Sequence, residues 1–173
     1  IASVFGDAAP DRTGGKPIAV HDLVALGEKR LATTPPADAG VAADLATVLG
    51  ELYLRLGEGD SALRLLQQGL AGQQATDAAS AAELAKRNDT LAVALLDLER
   101  NDEALAVAEA GRDLRQRFLA EMPVAQARTA YSMALTLQAV RRYDEARTQI
   151  EQGVALMAQY PDQVDIEPID MLS

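Results

Sequence analysis

A period of 42 residues, repeated without a slip, constrains the fold more than any other feature. The phrase GDSA ends at Ala62, NDEA at Ala104 and YDEA at Ala146, each 42 residues after the last. Gly69, Gly111 and Gly153 keep that separation, as do the small residues Gly50, Ala92 and Ala134. One residue before the small position stand Leu49, Leu91 and Met133, and three after it Tyr53, Leu95 and Leu137. Asp60, Asp102 and Asp144 form a further column. Periods of roughly 20 to 50 residues mark arrays in which each repeat is one supersecondary unit, unable to bury its apolar face without neighbours.

Within a repeat, Leu49, Gly50 and Tyr53 lie at i, i+1, i+4, and Ala62, Leu66 and Gly69 at i, i+4, i+7. Each spacing draws an apolar stripe along one helix, so each repeat is a pair of helices. The small residues let the two axes approach, and Leu at Ala104 would force them apart. The Asp column falls in the short connectors, where a carboxylate is expected to accept free backbone N–H groups and to meet the positive end of the helix dipole. Composition agrees with an all-α fold: 49% of residues are hydrophobic, only 3% are aromatic and none is Trp.

Twenty-six acidic against sixteen basic residues leave a net charge of -10, whose field repels nucleic acid and anionic lipid alike. No stretch reaches the roughly 18 to 20 apolar residues needed to span a bilayer, so direct membrane insertion is not expected. Cysteine is absent and His21 is the only histidine, which excludes thiolate sites and two-histidine metal sites within one chain. His21 reads as a helix-surface residue. Thr13 to Lys16 has the look of a phosphate loop, but Pro17 stands where Ser or Thr is required. Paired carboxylates such as Asp102 with Glu103 and Asp144 with Glu145 recur at equivalent helix starts, where solvation explains them better than acid/base chemistry. No enzyme class and no cofactor is indicated.

The succession of a small residue, an apolar or aromatic residue three later, then Ala, a large apolar residue and another small one resembles the tetratricopeptide repeat (TPR). The Trp of the usual motif is replaced by Ala46, Asn88 and Ala130, and its closing Pro by Gln74, Gln116 and Ala158. The period exceeds the usual one of about 34 residues by roughly two helical turns. This is similar to the longer arrays of the kinesin light chain type, in which a longer second helix has no place for an internal Pro, while Pro123 suits the first turn of the next helix. The resemblance implies a right-handed superhelical solenoid of about seven helices, with repeats at 43–84, 85–126 and 127–160. Gly27 lies 42 residues before Gly69 and places a capping helix at 18–33. Residues 1–17 then form a leader, and 161–173 a tail or truncated repeat.

The leader, with Val4-Phe5, Asp11-Arg12 and then LVALGEKRL, resembles the segment that opens the TPR region of certain bacterial membrane-anchored serine/threonine protein kinases. The chain begins with Ile1, and with this likeness that suggests a piece of a larger signalling protein. Such a module would lie beyond the membrane, in the periplasm; otherwise it would be cytoplasmic. The family's geometry implies a groove lined by the first helix of each repeat. Transferred by register, its residues are Thr47, Glu51 and Leu54, then Asp89, Val93 and Leu96, then Arg128, Tyr131 and Leu135. The asparagines by which some relatives grip a terminal carboxylate are missing, although Lys86 and Arg128 remain, so an extended peptide or a helix with apolar anchors is the expected partner. Self-association through an uncapped terminal helix or the tail is the alternative.

Overall fold

The computed structural model describes residues 19–160, and among them every regular element is an α-helix. In chain order these are α1 (Val20–Thr33), α2 (Ala39–Arg55), α3 (Gly59–Leu70), α4 (Ala78–Asp97), α5 (Asn101–Phe118), α6 (Pro123–Ala139) and α7 (Tyr143–Gln159). They fall into two compact units, one running to Gln73 and holding α1 to α3, the other starting at Gln74 and holding α4 to α7. Pairs α2/α3, α4/α5 and α6/α7 are helical hairpins, α1 packs on α2, and α5 packs on α6.

The first helix of each hairpin has an explicit start. The Asp38 carboxylate accepts from the N–H groups of Gly40 (2.7 Å) and Val41 (3.1 Å) ahead of α2. Asp77 and Ser80 form a reciprocal capping box ahead of α4, and Pro123 occupies the first position of α6. These starts fix the phase that a tandem pattern leaves free. The repeat boundaries expected at 42/43, 84/85 and 126/127 accordingly fall inside α2, α4 and α6.

The second helices begin differently. Gly57, Glu99 and Arg141, spaced by the period, all sit in the left-handed region with φ of 77°, 58° and 63°. The following N–H groups, of Glu58, Arg100 and Arg142, donate to the carbonyls of Tyr53, Leu95 and Leu137 at 2.9, 2.8 and 2.8 Å. This six-to-one closure ends one helix and aims the next. It also corrects the expectation for the Asp column. The cap positions of α3, α5 and α7 hold Glu58, Arg100 and Arg142 with no side-chain cap bond, and Asp60, Asp102 and Asp144 lie inside the first turn. Because the left-handed residue sets where the helix starts, the acids stand two residues past the cap and act only on the dipole. Arg100 instead pairs with Glu103 and Arg142 with Glu145, and these hydrogen bonds hold both glutamates below the ordinary carboxylate range.

The second helices differ in length, with 18 residues in α5 and 17 in α7 but only 12 in α3. It stops at Leu70, and Gly72 turns the chain with φ of 72°, so the first repeat takes up its length in a connector.

In the first unit the core gathers Val24 and Leu31 of α1, Ala46, Leu49 and Tyr53 of α2, and Ala62 and Leu65 of α3. In the second it joins Ala92, Ala108, Met133, Leu137 and Ala146, one or two from each of four helices. The columns found in the sequence are thus the contact surfaces. A Cβ on Gly50 would lie 2.8 Å from Leu66 Cγ, and on Gly153 3.2 Å from Ala130 Cβ, so the small residues mark where the paired helices are closest.

Candidate partner-binding surface

The first helices bury several polar groups, and four of them bond to a carbonyl of their own helix. Thr47 donates to the Ala43 carbonyl (2.9 Å), Asn88 to Leu84 (2.8 Å), Thr129 to Ala125 (3.0 Å) and Thr136 to Ser132 (3.1 Å). Among the described residues no buried side-chain nitrogen or oxygen lacks a partner, and no group of three His, Asp or Glu side chains is close enough to hold a metal ion. Polar atoms there are committed to the fold, which leaves only the exposed parts of the same helices open to an outside contact.

The nine residues assigned to a groove divide three ways. Thr47 is buried against Gly69 and belongs to the hairpin contact, a correction to its expected role: its hydroxyl is turned to its own helix, where α2 and α3 touch. Asp89 is engaged by Arg115 of α5, whose Nη1 lies 3.2 Å from Oδ1 while Nη2 contacts Oδ2. Arg115 is buried, so Asp89 first of all neutralises a cation inside the hairpin. Glu51, Leu54, Leu96 and Leu135 are half-buried, and Leu54 leans on the first core.

Val93, Arg128 and Tyr131 are exposed. All three stand in the second unit, on α4 and α6, which are neighbours. By register Val93 corresponds to Leu135, and Lys86, also exposed, corresponds to Arg128. Two adjacent helices therefore present two cations at one level and apolar side chains at the next. Lys86 was not among the nine, though its period-related position to Arg128 is visible in the sequence. The Asp89–Arg115 pair was also missed. Its trace is that the columns Thr47, Asp89, Tyr131 and Gln73, Arg115, Met157 turn to opposite charges together, in the second repeat only.

In the first unit, Glu28 of α1 is the polar centre. It accepts from Tyr53 Oη at 2.7 Å and pairs with Arg64 of α3. Burial and the Glu28 hydrogen bond push the Tyr53 phenol up to about 12. Burial alone would raise Glu28, but the bonds from Tyr53 and Arg64 outweigh it and hold the carboxyl below its ordinary value. His21 is exposed, with Nε2 2.9 Å from Glu58, so α1 is tied to its hairpin at both ends by polar contacts. The leader with its phosphate-loop likeness, and the tail, lie outside the described residues.

Fold and surface together define an all-α protein of helical hairpins in tandem, with three exposed residues of one helix layer as its candidate contact surface. No family profile and no curated protein matches the chain. Eighteen solved chains do. One of them, a mutant of MamA, is 24% identical with a TM-score of 0.48, the likeness covering 90% of this chain and 95% of that one.

Proposed function

We propose that this chain is a non-catalytic TPR-type module that binds another protein through the exposed face of α4 and α6. The observation that carries this reading is the juxtaposition, on neighbouring helices, of exposed Val93 and Tyr131 with Lys86 and Arg128. Large apolar side chains half in water on a strongly acidic chain lose contact with water when an apolar group covers them. Two cations beside them select a segment that places an acidic group next to that apolar anchor. An extended peptide or one face of an amphipathic helix meets this requirement.

Selection of a random peptide library on the immobilised chain, followed by anisotropy titration of the selected peptides, tests the reading. Bound sequences should pair an apolar residue with Asp or Glu, and Tyr131→Ala and Val93→Asp should each weaken binding at least tenfold. Unchanged binding by both variants would exclude the surface. The finer assignment, to the region beyond the membrane in a bacterial serine/threonine kinase, is supported by the leader's resemblance. Sequencing upstream of Ile1 tests it: a kinase domain and a hydrophobic span are expected there, and an independent start codon beside Ile1 overturns it.

A further inference from the structure

We infer that the outer face of α7 is a self-association surface that pairs with α7 of a second copy across a two-fold axis. Tyr143, Ile150 and Val154 are spaced i, i+7, i+11 on α7 and form one stripe, each more than half exposed. Ile150 stands in the column of Leu66 and Ala108, both at most 2% exposed, and is itself 55% exposed. In α5 the covering element is α6, whose Met133 and Leu137 share a core cluster with Ala108. No described helix takes that place on α7.

The substitutions along the columns run against a solvated end. At the positions of Tyr143 and Val154, α5 has Asn101 and Arg112. A terminal repeat that meets only water is expected to become more polar on its outer face. At these three positions the uncovered helix carries the larger apolar residue, although Leu105 and Val107 of α5 are replaced by Arg147 and Gln149 on α7. The stripe of Tyr143, Ile150 and Val154 is therefore patterned for contact with an apolar surface.

Charge selects a second copy as the occupant. Arg147 and Glu151 flank the stripe and are paired at 2.8 Å along the helix. When two α7 helices meet antiparallel with the axis beside Ile150, Arg147 of each lies near Glu151 of the other, so one opposite-charge pair is met by its own reverse. Arg141, Arg142 and Arg147 balance Asp144, Glu145 and Glu151, which makes this stretch locally neutral in a chain of net charge -10. Repulsion between copies is accordingly small here. Between α6 and α7 an open depression of about 380 Å³, lined by Gln138, Tyr143, Ala146, Arg147, Ile150 and Glu151, gives large side chains of the opposing helix somewhere to enter.

The inference does not rest on the peptide-binding surface, which lies on other residues. Sedimentation equilibrium of the full chain over micromolar to near-millimolar concentration should show a mass rising from 18.3 kDa toward the dimer. Ile150→Asp, at an exposed position, should keep the helical circular dichroism and weaken the dimer at least tenfold, while Val48→Asp, on another exposed apolar position, should leave it unchanged. Because the chain has no cysteine, an Ile150→Cys variant should oxidise to a covalent dimer and a Val48→Cys variant should not. A monomer at every concentration, or a dimer indifferent to Ile150→Asp, overturns the proposal.

Discussion

Arg115 of α5 reaches across its hairpin to Asp89 of α4 with both terminal nitrogens, and its side chain is only 4% exposed against 24% for the carboxylate. A buried guanidinium without its counterion is among the more costly defects a small domain can carry. Asp89→Ala should destabilise the chain by about 3–5 kcal/mol, because the cation stays behind. Installing the first repeat's residues at both places, Asp89→Thr with Arg115→Gln, should recover most of that loss. Urea denaturation of the single and double variants checks this, and equal losses in both would show that the ion pair is not the cause.

Two glycines in the same column should respond differently to alanine. A Cβ on Gly69 would run into the Thr47 hydroxyl and lie 3.1 Å from the Ala43 carbonyl oxygen, whereas on Gly111 the nearest atoms are Asn88 Cβ at 3.3 Å and the Ala85 oxygen at 3.5 Å. Gly69→Ala is expected to cost about 1–3 kcal/mol through overpacking. At Gly111 the milder contact is offset by the helix preference of Ala over Gly, about 1 kcal/mol, leaving a net effect near zero. Thermal unfolding of the two variants decides the matter.

Glu99 and Arg141 hold the left-handed conformation that Gly57 adopts freely in the first hairpin. Glycine at either site relieves a steric cost of about 1–2 kcal/mol and gives back roughly 0.5–1 kcal/mol in chain entropy. Glu99→Gly and Arg141→Gly should therefore stabilise, each by about 0.5–1 kcal/mol. Denaturation midpoints that fall would show that the side chains contribute more than the turn costs.

The Glu28–Tyr53 contact predicts both limbs of a pH profile. Tyr53 has its folded pKa raised from 10.0 to about 12, so its contribution is complete below about pH 10 and disappears as pH rises through about 12. Glu28 is depressed, so its contribution is present above the unfolded carboxylate range and is lost as pH falls through the folded value. Tyr53→Phe should flatten the alkaline limb, and Glu28→Gln should flatten both, when melting temperature is followed against pH. A profile unchanged in Glu28→Gln would sink this assignment.

At the proposed peptide surface, stability and binding should separate. Val93 and Tyr131 are 42% and 41% exposed, so Val93→Asp and Tyr131→Ala should alter unfolding free energy by no more than about 0.5 kcal/mol while reducing peptide affinity. A large stability loss in either would move that residue from the surface into the packing.

The hairpin architecture was legible because close packing repeats wherever the sequence repeats. Gly50, Ala62 and Gly69 and their successors are small since paired helices touch there, and a 42-residue period records each touching point three times. The site was legible only in part. Thr47 and Val93 both carry modest side chains on first helices, yet one is buried against Gly69 and the other stands in water. What separates them is rotation about the helix axis and the neighbour each one meets.

By itself the chain's periodicity determined that helices pair, which stripes face inward and where small residues must lie, because these follow from spacing along one helix. Only the tertiary structure decided the rest. Residues 57, 99 and 141 turn left-handed although only one is glycine, since the closing hydrogen bonds to Tyr53, Leu95 and Leu137 hold them there. Asp89 is drawn to Arg115, 26 residues away, and Ile150 is left open where Ala108 is covered. Each depends on what a different helix brings alongside, and contacts between distant parts of a chain leave no local pattern to read.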